Sequence, residues 1–278
     1  MSTIESHAPA SSAASWYQPL IIRLLIGLLI LGGAAWQQRP SGQLRLIAPV
    51  LPGDAFLIET PTGGWIVIDG GNDPNALASA VGQALPFWQR RIDMLIQTSD
   101  QPLLAQLALL RRYEVGRSYI LPAWQPSKRP EYQIWRQLHQ QHGIPIRRLH
   151  QGHTITLSEG VELRVVQASA TGSLLVIRYR QQQIVLAHAS DSRTDLPLPA
   201  LTHAALLIFP WQRNPTIPFV QAQRPQVLLF SDGWQTKQPA RMSMYQRRIG
   251  QARLLHEKIH GTVVWASDGS NATIMTQS

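Results

Sequence analysis

Hydrophobic positions fall into two regimes along the chain. From Leu20 to Ala35 they are nearly unbroken, with Arg23 as the only charge. Beyond Leu44 they come in short runs punctuated by Gly, Pro, Asn and Asp. The first regime predicts a helix that is apolar all round. From Trp16 to Trp36 such a helix is roughly 30 Å long at 1.5 Å per residue, matching a bilayer's hydrocarbon core. Trp16, Tyr17 and Trp36 would sit in the interfacial belts, and Arg23 would snorkel to the headgroups. The same segment also reads as a cleavable signal peptide with Gly33-Ala34-Ala35 at the cleavage site, or as a buried core helix. The division that follows is a disordered tail over 1–15, a transmembrane anchor over 16–36, a linker over 37–42 and one domain over 43–278. It implies a single-pass membrane protein with its globular part on the extracytoplasmic side.

The second regime alternates two periods. Runs suited to strands occupy Leu44–Val50, Ala55–Glu59 and Trp65–Asp69, with Pro61-Thr62-Gly63-Gly64 as a hairpin turn. Helical spacing predicts Asn75–Leu85, started by Asp73-Pro74, then Gln101–Tyr113 and Tyr132–His142. Between them lie strands at Ile92–Thr98 and Arg117–Leu121. The second half reads as strands at Thr154–Leu157, Val161–Gln167, Ser173–Arg180, Gln183–His188, Ala205–Phe209 and Gln226–Phe230. A helix at Met244–His260 and strands at Thr262–Ala266 and Asn271–Met275 complete it. This order predicts two sheets with helices outside them.

Composition narrows the chemistry. A hydrophobic content of 44% in 278 residues supports a sizeable core and excludes wholesale disorder. The absence of cysteine excludes disulfides, thiolate zinc sites and a Cys nucleophile. The formal charge of +9 includes the basic pairs Arg90-Arg91, Arg111-Arg112, Lys128-Arg129, Arg147-Arg148 and Arg247-Arg248. Such charge serves solubility, and it also attracts phosphate backbones and anionic lipids. No phosphate-binding loop or G-x-S-x-G elbow is present. His188, Ser190 and Asp191 lie close in sequence, which is not triad geometry. His150 and His153 read as solvated turn residues, and His139 and His142 as residues near a helix end that suit its dipole. Trp124, Trp135, Trp211 and Trp234 read mainly as packing residues.

Several short motifs occur in order: Gly53-Asp54-Ala55-Phe56-Leu57-Ile58, Thr60-Pro61-Thr62-Gly63, Ile68-Asp69-Gly70-Gly71, Leu85-Pro86 and Arg91-Ile92-Asp93. In this order the chain resembles the metallo-β-lactamase superfamily, and within it the C-terminal domain of ComEC-type DNA-uptake competence proteins. The resemblance implies a four-layer αββα sandwich and a zinc site, whose metal lowers the pKa of a bound water. The ligand positions depart from that pattern. The loop of form T-H-x-H-x-D-H reads Thr98-Ser99-Asp100-Gln101-Pro102-Leu103-Leu104, so Ser99, Gln101, Leu103 and Leu104 stand where ligands would. The bridging Asp of an F-L-L-T-G-D pattern falls at Ala189, and the late V-P-H-H-G-S motif places Trp211 where a histidine would be. Gly53, Asp54, Asp69, Gly70 and Gly71 are retained. By resemblance, Asp69 supports loops rather than metal. The implied protein is a degenerate, metal-free domain with no cofactor. It would be tethered to a membrane and bind or scaffold in DNA uptake, beside a channel-type competence protein. Arg111, Arg112, Arg147 and Arg148 are its candidate contacts for weak, non-specific DNA binding. The alternative is an active phosphodiesterase-like hydrolase with a non-standard site.

Overall fold

The structure is a computed structural model. It describes residues 18–37, 41–98, 102–121, 130–158, 160–169, 172–189, 203–232, 244 and 246–277. The chain forms two compact units, residues 1–39 and 40–278.

The first unit holds helix α1, Gln18–Gln37. Its apolar side chains face outward: Leu24, Leu28 and Leu29 are 60%, 63% and 75% exposed. The helix runs one residue into the expected linker. Its described side chains cover residues 19–33, about 22 Å of helix at 1.5 Å per residue. Among the described residues no helix is long and apolar enough to cross a membrane.

The second unit is a layered α/β sandwich. One half supplies β1 (Leu44–Ala48), β2 (Ala55–Glu59), β3 (Trp65–Asp69), α2 (Pro74–Ala84), β4 (Arg91–Ile92), β5 (Met94–Gln97), α3 (Leu104–Leu110), β6 (Glu114–Val115), β7 (Ser118–Ile120), α4 (Glu131–Gln141) and β8 (Ile146–Arg148). The other supplies β9 (Thr154–Ser158), β10 (Val161–Ser169), β11 (Gly172–Tyr179), β12 (Gln182–Ala189), β13 (Leu206–Pro210), α5 (Pro218–Gln223), β14 (Val227–Ser231), β15 (Arg253–His256), α6 (Glu257–His260), β16 (Thr262–Ser267) and β17 (Ala272–Gln277). An eight-stranded sheet runs β17-β16-β1-β2-β3-β5-β7-β8, and a seven-stranded sheet runs β15-β14-β13-β12-β11-β10-β9. A two-stranded ribbon, β4-β6, stands apart. From β3 to β8 the first sheet is parallel, as is the second from β12 to β15.

Strand alternation sorts side chains into three cores. Ile58, Ile66, Ile68 and Ile96 of the first sheet meet Leu163, Leu175, Leu186 and Ile208 of the second between the sheets. Leu57, Trp65, Val67 and Leu95 point the other way, under α2, α3 and α4. Val176, Val185, Phe209 and Phe230 form the outer core of the second sheet with Phe219 and Val220 of α5. These layers match the expected two sheets with helices outside.

The expected helix Met244–His260 is corrected: β15 and the one-turn α6 occupy its second half. Gly250 adopts φ 51°, and Arg253–His256 pairs in parallel with β14. An open position beside β14 overrides helix propensity there. His139 lies in the last turn of α4, near the helix end as expected, and it is buried there: it is 1% exposed, its ring 3.7 Å from that of Trp135. Its Nδ1 donates to the Trp135 carbonyl at 2.8 Å, and its Nε2 accepts from the Ser118 hydroxyl at 2.7 Å. Burial lowers its pKa to about 4.

That burial carries an acid cost. With a folded pKa of about 4 against 6.5 unfolded, His139 costs nothing above pH 6.5 and destabilises the fold as pH falls from 6.5 toward 4. The loss at the lower end is on the order of 3 kcal/mol. Denaturant unfolding of His139→Gln against wild type should show a flatter stability profile over that window; parallel profiles would contradict the assignment.

Candidate functional site

In sheets of this kind, function collects beyond the carboxyl ends of parallel strands. Here those ends deliver Asp69 from β3, Thr98 after β5, His188 from β12, Ser231 and Asp232 from β14, and His256 from β15. Asp54 precedes β2 at the same edge, next to Ala55, which pairs with Asp69 in the register.

The glycine motifs explain how the two acids arrive. Gly71 has φ 65°, and a Cβ there would lie 2.3 Å from Leu51 Cδ1 and 2.6 Å from the Pro52 carbonyl oxygen. The Gly71 N–H donates to the Asp54 carbonyl at 2.9 Å, and the Asn72 N–H to that of Pro52 at 2.7 Å. The Gly53 and Gly71 loops thus clasp each other. Asp69 itself adopts φ 58°, unusual for a residue with a side chain. Its carboxylate is fully buried and accepts the Thr98 N–H at 2.7 Å and the Thr98 hydroxyl. These contacts hold Asp69 against the residue that follows β5.

His188 closes the cluster. The ring is 3% exposed, with Nδ1 at 3.3 Å from Asp54 Oδ2 and 3.7 Å from Asp69 Oδ2. That nitrogen has no hydrogen-bond partner among the described residues. Asp54 Oδ2 also accepts the Ser231 hydroxyl at 3.0 Å. Burial raises the Asp69 carboxyl above its ordinary value, against the lowering influence of His188 and of both Thr98 donors.

A second network adjoins the first. Asp232 accepts the Gly53 N–H at 2.9 Å and the Lys258 ammonium at 2.5 Å, tying the first-half loop to α6. Beside it, burial and the fields of Asp54 and Asp232 push the Glu257 carboxyl well above its usual range. Burial first, then Lys258, His260 and Arg247, lower His256 to about 3. Trp211 covers this side. Its ring stands edge-on to Phe230 and His256 at 5.1 and 5.3 Å, with the Arg247 guanidinium 4.0 Å above it.

Of the departed ligand positions, Leu103 is fully buried in the core beneath α2 and α3, and Leu104 is 51% exposed on α3. Ala189 ends β12. Ser99, Gln101, Ser190 and Asp191 lie outside the described residues, as do Trp124 and Trp234. His150 and His153 are exposed, as expected. Among the described residues, no group of three His, Asp or Glu is arranged to hold a metal. The described residues do not fit a zinc ion: Asp69 is committed to Thr98, Asp54 to Ser231, and one imidazole remains. Sequence reasoning missed the Asp54–Asp69–His188 cluster, because its members come from three separate strands. The signal was a histidine where the family pattern has a glycine.

The sequence matches no family model and no curated protein. Among solved structures, zinc-bound PqqB from Methylobacterium extorquens aligns over 73% of this chain and 84% of its own, at 11% identity and a TM-score of 0.51. The fold is metallo-β-lactamase-like. CmlA, a diiron β-hydroxylase from Streptomyces venezuelae, aligns over 68% of this chain at 15% identity and a TM-score of 0.44, and the alignment spans 44% of its length.

The clasp of the metallo-β-lactamase-like domain makes a direct prediction. Gly71→Ala should lose roughly 2–5 kcal/mol of stability, summing left-handed strain with overpacking against Leu51 and Pro52. Urea denaturation checks this; a loss below about 0.5 kcal/mol would show that the loop does not need glycine.

Proposed function

We propose that this chain is a membrane-tethered, metal-free member of the metallo-β-lactamase fold that acts by binding rather than hydrolysis. The observation that carries the reading is the filled centre, where His188 lies between Asp54 and Asp69. Two buried acids need polar partners. In this reading Thr98, Ser231 and the imidazole ring beside them fill the space that metal-bearing relatives give to an ion. Trp211, clamped under Arg247, seals the adjoining side. The outward-facing leucines of α1 support the tether.

The ordered motifs from Gly53 to Asp93 support kinship with the C-terminal domain of ComEC-type proteins, and with it a role in DNA uptake beside a channel-type partner. In that role Arg111, Arg112, Arg147 and Arg148, all exposed, would contact phosphates. Binding would be weak and sequence-independent. Its log–log salt slope would be near −3 to −4 for about four neutralised phosphates.

Elemental analysis of the purified chain tests the central point. The expected result is no stoichiometric zinc and no phosphodiester hydrolysis above background. About one chelatable zinc per chain, with activity that returns on reloading, would establish the hydrolase reading instead. A fluorescence titration with DNA at two salt concentrations tests the second. Binding absent even at low salt would leave a scaffold that does not touch nucleic acid.

A further inference from the structure

The end of the domain opposite the Asp54–Asp69–His188 cluster gathers what the sequence scatters. Chain tracing fixes the arrangement. Strands β5, β7 and β8 all start at this end, because they run parallel to β3. Helices α2 and α3 finish there, since each follows one parallel strand and precedes the next. The ribbon β4-β6 then pairs Arg91 with Glu114, and the Glu114 N–H donates to the Arg90 carbonyl at 2.8 Å. That pairing brings Arg90-Arg91 and Arg111-Arg112 onto one corner, with Arg117 at the start of β7. All five arginines are exposed. The acids nearby are Asp93, which pairs with Arg91 at 3.1 Å and caps the Trp65 N–H at 2.9 Å, and Glu114.

On the same corner, after α2, Phe87 and Trp88 are 54% and 43% exposed, their rings edge-to-face at 4.7 Å. A Phe–Trp pair held out to solvent beside five arginines is not core material. Beside it lies a cleft of about 480 Å³ lined by Thr60, Thr62, Gln89, Asp93 and Arg117 among others. Strand β1 also begins at this end, because it runs antiparallel to β2 and β2 antiparallel to β3. The polypeptide therefore enters the domain, at Leu44, at this same end.

We propose that this corner is a docking surface for an anionic lipid bilayer, with Phe87 and Trp88 entering the interface and the arginines meeting the headgroups. Aromatic side chains favour the headgroup boundary, and basic residues gain from anionic lipid within a Debye length. The polypeptide's arrival at this end of the domain favours a bilayer over a nucleic acid. That argument rests on the tether proposed above; the charge and the exposed ring pair do not. The assignment leaves Arg147 and Arg148, on the edge strand β8, as the surface for other polyanions.

Residues 41–278 contain every member of the three cores, so this piece carries its own fold. Its co-sedimentation with vesicles tests the proposal. Binding is expected to vesicles of phosphatidylcholine mixed with phosphatidylglycerol, and not to phosphatidylcholine alone. The double variants Phe87→Ser/Trp88→Ser and Arg111→Glu/Arg112→Glu should each weaken partitioning about tenfold or more, while Arg147→Glu/Arg148→Glu leaves it unchanged. Circular dichroism confirms that each variant is folded. No binding to the anionic vesicles, or equal losses from both arginine pairs, overturns the proposal. So does single-stranded DNA binding that depends on Phe87 and Trp88 and is stronger than vesicle binding. Fractionation of the full chain reports on the tether separately. A full chain that washes off membranes while the domain still binds vesicles removes the tether and keeps the surface.

Discussion

Two carboxylates buried side by side are the constraint around which this domain is built. Asp54 and Asp69 are 3% and 0% exposed, and charge at that depth persists only with compensation. The compensation is distributed. Thr98 donates twice to Asp69, Ser231 donates to Asp54, and the His188 ring stands within 3.7 Å of both. These partners come from strands of both sheets. The cluster therefore ties the two halves of the sandwich at the carboxyl ends of the parallel strands.

The loops around it follow from this arrangement. The interlocked turns at Gly53 and Gly71 hold the backbone where Asp54 can face Asp69, and Asp232 links the Gly53 N–H to Lys258. Beside it a packed aromatic, Trp211, lies under the Arg247 guanidinium. Thr98 holds Asp69, and Phe230, His256 and Arg247 surround the Trp211 ring.

Much of this was legible in the sequence, and the failures have physical causes. The Gly-Asp-Ala and Asp-Gly-Gly motifs gave the turns because close backbone approach and positive φ admit few residues. Alternating apolar runs gave both sheets. Three things were not legible. Arg253–His256 looked helical because its strand identity comes from β14, a partner distant in sequence. The burial of His139 left no signal because its partner Ser118 lies on a strand distant in sequence. The convergence of Arg90-Arg91 with Arg111-Arg112 depends on a ribbon of two residues per strand, too short to leave a periodic signal. Position in a sheet, rather than local pattern, decided all three.

The central claim is that the centre is complete as built from side chains alone, and thermal unfolding with added zinc or chelator tests it most directly. A ligand that binds only the native state raises the melting temperature in proportion to its occupancy. The account predicts the same midpoint in excess chelator and in excess zinc, together with a large loss of stability in His188→Ala, which removes a buried ring beside the two acids and leaves a cavity. A midpoint that rises with zinc and falls with chelator, in a wild-type chain whose His188→Ala variant stays stable, would contradict it.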